Sequence, residues 1–507
     1  MTVQLAGPGA TISDVVAVAR NRARVQLTAE AVERMAASRS VVEGLASGEP
    51  TYGISTGFGA LATVSIPPER RAELQLALVR SHAAGMGPAV ETEVVRAMTF
   101  LRARTLALGY SGARPDTAQR LVDLLNHEIH PVVPEHGSLG ASGDLAPLAH
   151  VSLALIGEGE VEVSGDTVPA GEALQAAGLT PLRLAEKEGL ALTNGTDGIL
   201  GMLCLGVADS QTLLATGDVI AALTVEGMLA TDRPFAAELQ ELRPQPGQAI
   251  SAHNLRRMLA DSPLVASHRH DDPRVQDAYS IRCAPQVHGA ARDALGYVTR
   301  TVEHELAAAI DNPMVLPDGR VESCGNFHGA PLGYAADFLG IALADVGMMA
   351  ERRIDRMLDK TRSHGLPPFL ANDPGVDSGL MIGHYTAAAL CEENRRLATP
   401  ASVDSYPTSG MQEDHVSMAW SAARKLRRII DNLARIQAVE LVAAARAVEL
   451  RDHPPAAATG AVIARLRQDV AGPGPDRFVS PELETSASLV RSGEILAAAV
   501  AAAGAID

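Results

Sequence analysis

The chain has 507 residues, 47% hydrophobic and 20% charged, the composition of an ordered globular protein with room for a large core. Its 43 Lys and Arg against 60 Asp and Glu leave a formal net charge of −17 with no basic patch, which excludes nucleic acid and anionic lipid as electrostatic partners. Aromatic residues make up only 3%, so Ala and Leu must fill the interior, and closely packed helices suit them.

The opening MTVQLAGPGATISDVV lacks a basic stretch leading into an apolar run, and no window of 18 uncharged apolar residues follows it. A cytoplasmic chain, neither exported nor membrane-spanning, is expected. Residues 93–108 carry apolar side chains at helical spacing and stop at Gly109, a residue suited to the left-handed C-terminal cap. Pro115 and Asp116 open the next helix as first-turn residues. Residues 159–169 alternate weakly and read as a small surface hairpin. Phe338, Leu339, Leu343, Val346, Met349 and Ile354 recur every three or four positions on one long helix. Leu426, Ile429, Ile430, Leu433, Ile436 and Val439 mark another, ending before His453, Pro454 and Pro455. The expected fold is mainly α, with a loop-rich, Gly-rich part over residues 1–200 and a long-helix bundle over 201–507. Cys204, Cys283, Cys324 and Cys391 are too scattered for a CxxC site, which suits a reducing compartment.

The stretch GSLGASGDLAPLAH, residues 137–150, sets three glycines around Ser142 in a chain otherwise built for helices. Alone it reads as a turn in which Asp144 caps a helix starting at Leu145, with Leu145, Leu148 and Val151 facing inward. It is no nucleophile elbow, because Gly143 directly follows Ser142 and no apolar strand precedes it. Gly57-Phe58-Gly59-Ala60-Leu61-Ala62 matches a permissive dinucleotide fingerprint, but no strand leads into it and no acid stands near residue 79. The HRHDD run at 268–272 reads as a solvated loop, since its ligand spacing is not diagnostic of a metal.

Eight segments occur in one order: YGISTGFG from Tyr52, SHAAGMG from Ser81, GSLGASGDLAPLAH from Gly137, NGTDG from Asn194, VQDAYSIRCAPQ from Val275, DNP from Asp311, GNFHGAP from Gly325 and MQEDHVSM from Met411. Together they resemble the aromatic amino acid ammonia-lyase and aminomutase family, from about residue 50 to residue 450. The resemblance implies a small loop-rich domain carrying a prosthetic group on a bundle of long helices. That group is a 4-methylidene-imidazol-5-one made from Ala141, Ser142 and Gly143, with no metal and no diffusible cofactor. Its formation makes chemical sense: the Gly143 nitrogen attacks the Ala141 carbonyl, and dehydration, including loss of the Ser142 hydroxyl, closes the ring. Glycine offers an unhindered nitrogen and a compressible backbone.

By the same resemblance Tyr52 takes the β-proton of the substrate, for which its phenol, ordinarily near pKa ~10, must be acidified. Tyr279 assists at the prosthetic group, Asn194 and Gln276 hydrogen-bond near ring or substrate, and Phe327 packs beside it. Arg282, three residues after Tyr279, can clamp a carboxylate with two parallel hydrogen bonds. His82 and Glu413 match the positions where the histidine-acting branch recognises an imidazole, which implies elimination of ammonia from L-histidine to give urocanate. Selectivity of this kind needs polar groups that a benzene ring would leave unpaired. His384, where the family commonly has Gln, and Cys324, before GNFH, depart from the pattern. The implied assembly is a homotetramer whose active sites draw residues from neighbouring subunits. The alternatives are a tyrosine or phenylalanine lyase, a 2,3-aminomutase using the same electrophile, and a catalytically silent oligomeric scaffold.

Overall fold

The computed structural model describes residues 1–6, 9–45, 55–57, 59–61, 63–270 and 272–507. The protein is mainly α, dominated by helices Asp197–Gly227, Ala284–Ala307, Ala330–Leu358 and Ala419–Glu449, of 24 to 31 residues. It divides into two compact units interleaved along the chain. The first holds Met1–Leu205, Thr299–Asp337 and Pro400–Arg424, and the second Gly206–Val298, Phe338–Thr399 and Lys425–Asp507. Where the sequence reading draws one boundary after residue 200, the first unit therefore runs to Leu205 and takes back two later segments.

In the first unit the helix expected at 93–108 spans Thr92–Ala107, and Gly109 follows it in the left-handed region at φ +80°. Its whole length from Val94 to Ala107 is buried, including Arg96, Arg102 and Arg104. Those guanidiniums donate to backbone carbonyls at the ends of other helices. Arg96 reaches Val18 O at 2.8 and 3.0 Å, and Arg104 reaches Ala308 O at 2.7 Å and Glu305 O at 3.1 Å. A helix leaves its last carbonyls unsatisfied and its C-terminal end negative, so a buried cation suits them. Burial draws the Arg104 pKa down to about 10, which still leaves it charged at neutrality. The helix opened by Pro115 spans Pro115–Asn126, and the expected hairpin is Glu160–Val163 paired antiparallel with Asp166–Pro169. The same unit contains short strands elsewhere, among them Met86–Ala89 against Pro134–His136.

In the second unit buried charges tie helices together. Asp218 accepts hydrogen bonds from Ser251 Oγ, Asn254 Nδ2 and Arg292 Nη2 at 2.5, 2.9 and 2.7 Å, and His288 Nδ1 lies 2.7 Å away. Four favourable contacts outweigh the desolvation cost, and the Asp218 carboxyl stays below its ordinary pKa. Arg353 and Glu440 form a second buried pair at 2.5 and 2.9 Å, with Thr224 Oγ1 also donating to Glu440 at 2.8 Å. Two helical stretches, Glu188–Gly227 and Ala330–Leu358, have the length and hydropathy of a membrane span. The first carries Glu188, Asp197, Asp218 and Glu226, all buried and engaged with other polar groups.

Removing one partner of a fully buried ion pair strands the other without solvent. Glu440→Ala is therefore expected to lower unfolding stability by about 3–5 kcal/mol in urea titration. Asp318→Ala, which breaks the exposed contact with Arg320, should leave the midpoint where it is.

Candidate active site

The Ala141-Ser142-Gly143 tripeptide lies in the first unit on a tightly gripped loop. Ala141 and Gly143 are buried and Ser142 is half-buried. Gly143 adopts φ +72°, and a Cβ there would stand 2.2 Å from the carbonyl oxygen of Gly195, so only glycine fits. That carbonyl accepts the amide hydrogen of Asp144 at 2.7 Å. From the same turn, Asn194 Nδ2 donates to Ser142 Oγ at 3.1 Å. Asn194 is 1% exposed, and its Oδ1 is buried without a hydrogen-bond partner.

Asp144 corrects the sequence reading. It does stand at the N-terminus of helix Leu145–Leu155, with Leu148 and Val151 buried and Leu145 only half-buried, but its side chain makes no cap there. Its carboxylate instead accepts the amide hydrogens of Gly198 and Ile199, at 2.9 and 3.0 Å, at the start of helix Asp197–Gly227, and the hydroxyl of Ser138 at 2.9 Å. A carboxylate satisfies the free amides of a helix N-terminus whichever segment supplies it. Complete burial still pushes its pKa up to about 7, against the pull of those donors.

Parts of three other motifs of the first unit contact this loop. The carbonyl of Gly140, one residue before the tripeptide, accepts from Gly329 N at 3.0 Å, in GNFHGAP, and from Ser417 Oγ at 2.7 Å, in MQEDHVSM. Gly137 packs so closely on Gly85 of SHAAGMG that a Cβ at 137 would lie 3.2 Å from the Gly85 Cα, and Gly85 N donates to His150 Nε2 at 3.1 Å. Phe327 is half-buried on the turn before helix Ala330–Leu358. Glu413 is half-buried, takes a 2.8 Å hydrogen bond from Thr408 Oγ1 and pairs its backbone with Thr408. Its segment is a turn rather than the start of a helix, which begins only at Ala419. Ser409 of that turn backs onto Gly59, the described end of YGISTGFG. Tyr52 lies outside the described residues.

His82 ends helix Arg71–His82, with its Nδ1 3.1 Å from Ser81 Oγ. Burial lowers its pKa, although a hydrogen bond with the Leu78 backbone and the charge of Glu413 both favour the protonated ring. His82 and Glu413 thus share one electrostatic neighbourhood. Cys324 is held against the Asp311–Asn312 segment, its N donating to Asn312 Oδ1 at 2.9 Å and its Sγ to Asp311 O at 3.3 Å.

The second unit carries the remaining candidates. Tyr279 and Arg282 lie on the single turn Tyr279–Arg282, and the guanidinium stacks 4.7 Å from the centre of the phenol ring. Tyr279 is 71% exposed, Gln276 is exposed, and Arg282 Nε is buried without a hydrogen-bond partner. His384 Nε2 sits 2.7 Å from Glu351 Oε1.

Sequence reasoning passed over Asp144 as a carboxylate, Ser417, Asp197 and Arg102. The available signal was charge inside an apolar helix: arginines at 96, 102 and 104 cannot all leave a helix that is hydrophobic on every side.

The aromatic amino acid lyase family model matches residues 10–468. A histidine ammonia-lyase of Streptomyces griseus is 60% identical over 98% of each chain. Among solved structures, the tyrosine aminomutase of Streptomyces globisporus superposes with a TM-score of 0.94 at 38% identity, covering 99% of both chains. The histidine ammonia-lyase of Trypanosoma cruzi does so with 0.91 at 37%, over 98% of this chain and 95% of that one. The fold is thus common to both chemistries, and side chains must distinguish them.

The lowered His82 pKa has a definite sign. The folded ring resists protonation more than the unfolded one, so acid below pH 6.5 destabilises the fold through this group and neutral pH leaves it uncharged. An NMR titration of the His82 ring should give a midpoint below 6.5, rising when Glu413→Gln is compared only if the carboxylate repelled the proton. The expected shift on that substitution is further downward, because Glu413 favours the charged ring.

Proposed function

We infer that this chain, which belongs to the aromatic amino acid lyase family, eliminates ammonia from L-histidine and releases urocanate. The observation that carries the substrate is that the charge of Glu413 reaches the half-buried His82, which puts within one neighbourhood two polar groups that an imidazole satisfies and a benzene ring leaves unpaired. The full-length relatives at 60% identity support the same choice.

The residues around the tripeptide fit a 4-methylidene-imidazol-5-one. Gly143 has a left-handed backbone with no room for a Cβ, which suits ring closure, and the unpartnered Asn194 Oδ1 supplies a buried acceptor beside Ser142. Such a group, held there, would supply an electron-poor carbon that turns the substrate's nitrogen into a competent leaving group. The chain's own side chains do the rest. Arg282 clamps the α-carboxylate through two parallel hydrogen bonds. Tyr52 takes the β-proton, with Tyr279, on whose ring the Arg282 guanidinium stacks, assisting at the prosthetic group. Glu413 and His82 hold the imidazole, Asn194 and Gln276 hydrogen-bond near ring and substrate, and Phe327 walls the pocket. No metal or diffusible cofactor enters the scheme.

The exposure of Phe338, Ile341 and Met348 along helix Ala330–Leu358, and of Ile382 and Tyr385, supports self-association. We take the assembly to be a homotetramer in which Tyr52, Tyr279 and the tripeptide of one site come from different copies.

The test offers L-histidine, L-tyrosine and L-phenylalanine separately and looks for urocanate, the cinnamates and β-amino acids. Urocanate alone is expected; a β-amino acid from tyrosine would favour the aminomutase reading that the fold also admits. Ser142→Ala should abolish urocanate formation. Glu413→Gln should lower kcat/KM for histidine about 10–100-fold, the worth of one charge-assisted hydrogen bond. Light scattering during gel filtration should give a tetramer, with activity lost when dilution yields monomers.

A further inference from the structure

Arg102 is fully buried in helix Thr92–Ala107 and directs its planar fork at the turn that faces the tripeptide. Nη1 donates to Asn194 O at 2.9 Å and Ala191 O at 3.1 Å, and Nη2 to Ile310 O at 3.0 Å. Its Nε stands 3.2 Å from Asp197 Oδ2, a contact of charges rather than an aligned hydrogen bond. Asp197 is fixed in turn by Thr105 Oγ1 at 3.2 Å, and Thr196 Oγ1 donates to the half-buried Glu305 at 2.8 Å. The fork leaves no slack. A Cβ at Gly195, whose φ lies outside the left-handed region, would stand 2.7 Å from both terminal nitrogens of Arg102 and 2.5 Å from Asp197 Oδ2.

The turn so held makes two contacts that grip the tripeptide from outside its own segment: Asn194 Nδ2 on the Ser142 hydroxyl, and Gly195 O on the amide that follows Gly143. We propose that Arg102 is a positioning residue for ring closure, its guanidinium fixing the 194–197 turn so that the tripeptide is held bent. This rests on the reading that Ala141-Ser142-Gly143 cyclises. In that reaction the Gly143 nitrogen bonds to the Ala141 carbonyl carbon and passes its proton to the carbonyl oxygen. That oxygen leaves as water with the Ser142 amide hydrogen, giving a C=N bond. The Ser142 hydroxyl leaves as a second water with the Ser142 Cα hydrogen, giving the exocyclic C=C bond. No oxidant is consumed. Arg102 touches none of these atoms and acts through Asn194 and Gly195.

Three carbonyls fanned around one planar group suit a fork with several fixed donors, and a lysine ammonium serves them poorly while keeping the charge opposite Asp197. The experiment measures the intact mass of purified parent, Arg102→Lys and Gly195→Ala, alongside circular dichroism and melting temperature. The parent should be lighter than its sequence by two waters. In both variants most of the soluble, folded chain should keep the unmodified mass. A merely structural role would lower the melting temperature and leave the folded chain fully cyclised, which overturns the proposal. So would failure of both variants to give soluble protein, since the fork would then serve the fold rather than the ring. A parent at unmodified mass would sink the prosthetic-group reading itself, a failure separate from that of Arg102.

Discussion

Two backbone turns meet in the first unit without side chains between them. The position a Gly143 Cβ would occupy is 2.2 Å from the Gly195 carbonyl oxygen, and the Asp144 amide is hydrogen-bonded to that oxygen at 2.7 Å. Such an approach excludes every residue but glycine at 143 and holds its backbone in the left-handed region. The rest of the site follows from keeping these turns together. Asp144 does so from the tripeptide side, by laying its carboxylate on the free amides of Gly198 and Ile199. Arg102 does so from the other, by collecting the carbonyls of Ala191 and Asn194.

Both devices place charge where water is absent, and both would be unfavourable unpartnered. The Asp144 carboxyl shows the tension: burial raises its pKa to about 7 even with three donors aimed at it. An apolar replacement could satisfy neither helix amides nor turn carbonyls, so the charge is retained for the geometry it imposes. The Gly140 carbonyl extends the same logic, drawing Gly329 and Ser417 to the loop and with them the segments of Phe327 and Glu413.

Much of the helical scaffold was legible because periodicity reports which face is buried. The helices at 92–107, 330–358 and 419–449 fall where apolar spacing puts them, and Gly109 caps the first as its type suggests. The interleaving of the units was not legible, since local spacing carries no information on which distant segment returns. Asp144 was assigned to its own helix for the same reason: the helix whose amides it receives begins 53 residues later, at Asp197. The buried arginines escaped notice because a helical wheel sends charge to solvent, whereas here carbonyls at the ends of other helices receive it. The eight motifs point to the family, and the structure adds that SHAAGMG, NGTDG, GNFHGAP and MQEDHVSM of the first unit touch the segment of the tripeptide, while Gln276, Tyr279 and Arg282 belong to the second unit.

The central claim is that the grip of the 194–197 turn bends Ala141-Ser142-Gly143 into a ring. Crystallographic density over residues 138–145 and 194–199, at a resolution that separates a planar five-membered ring from an open chain, tests it most directly. The account requires a closed ring with a bond from Gly143 N to Ala141 C, no Ser142 hydroxyl, and Gly195 O still accepting the Asp144 amide hydrogen. An open Ser142 with its hydroxyl intact, or a closed ring with the Gly195 contact absent, would contradict it.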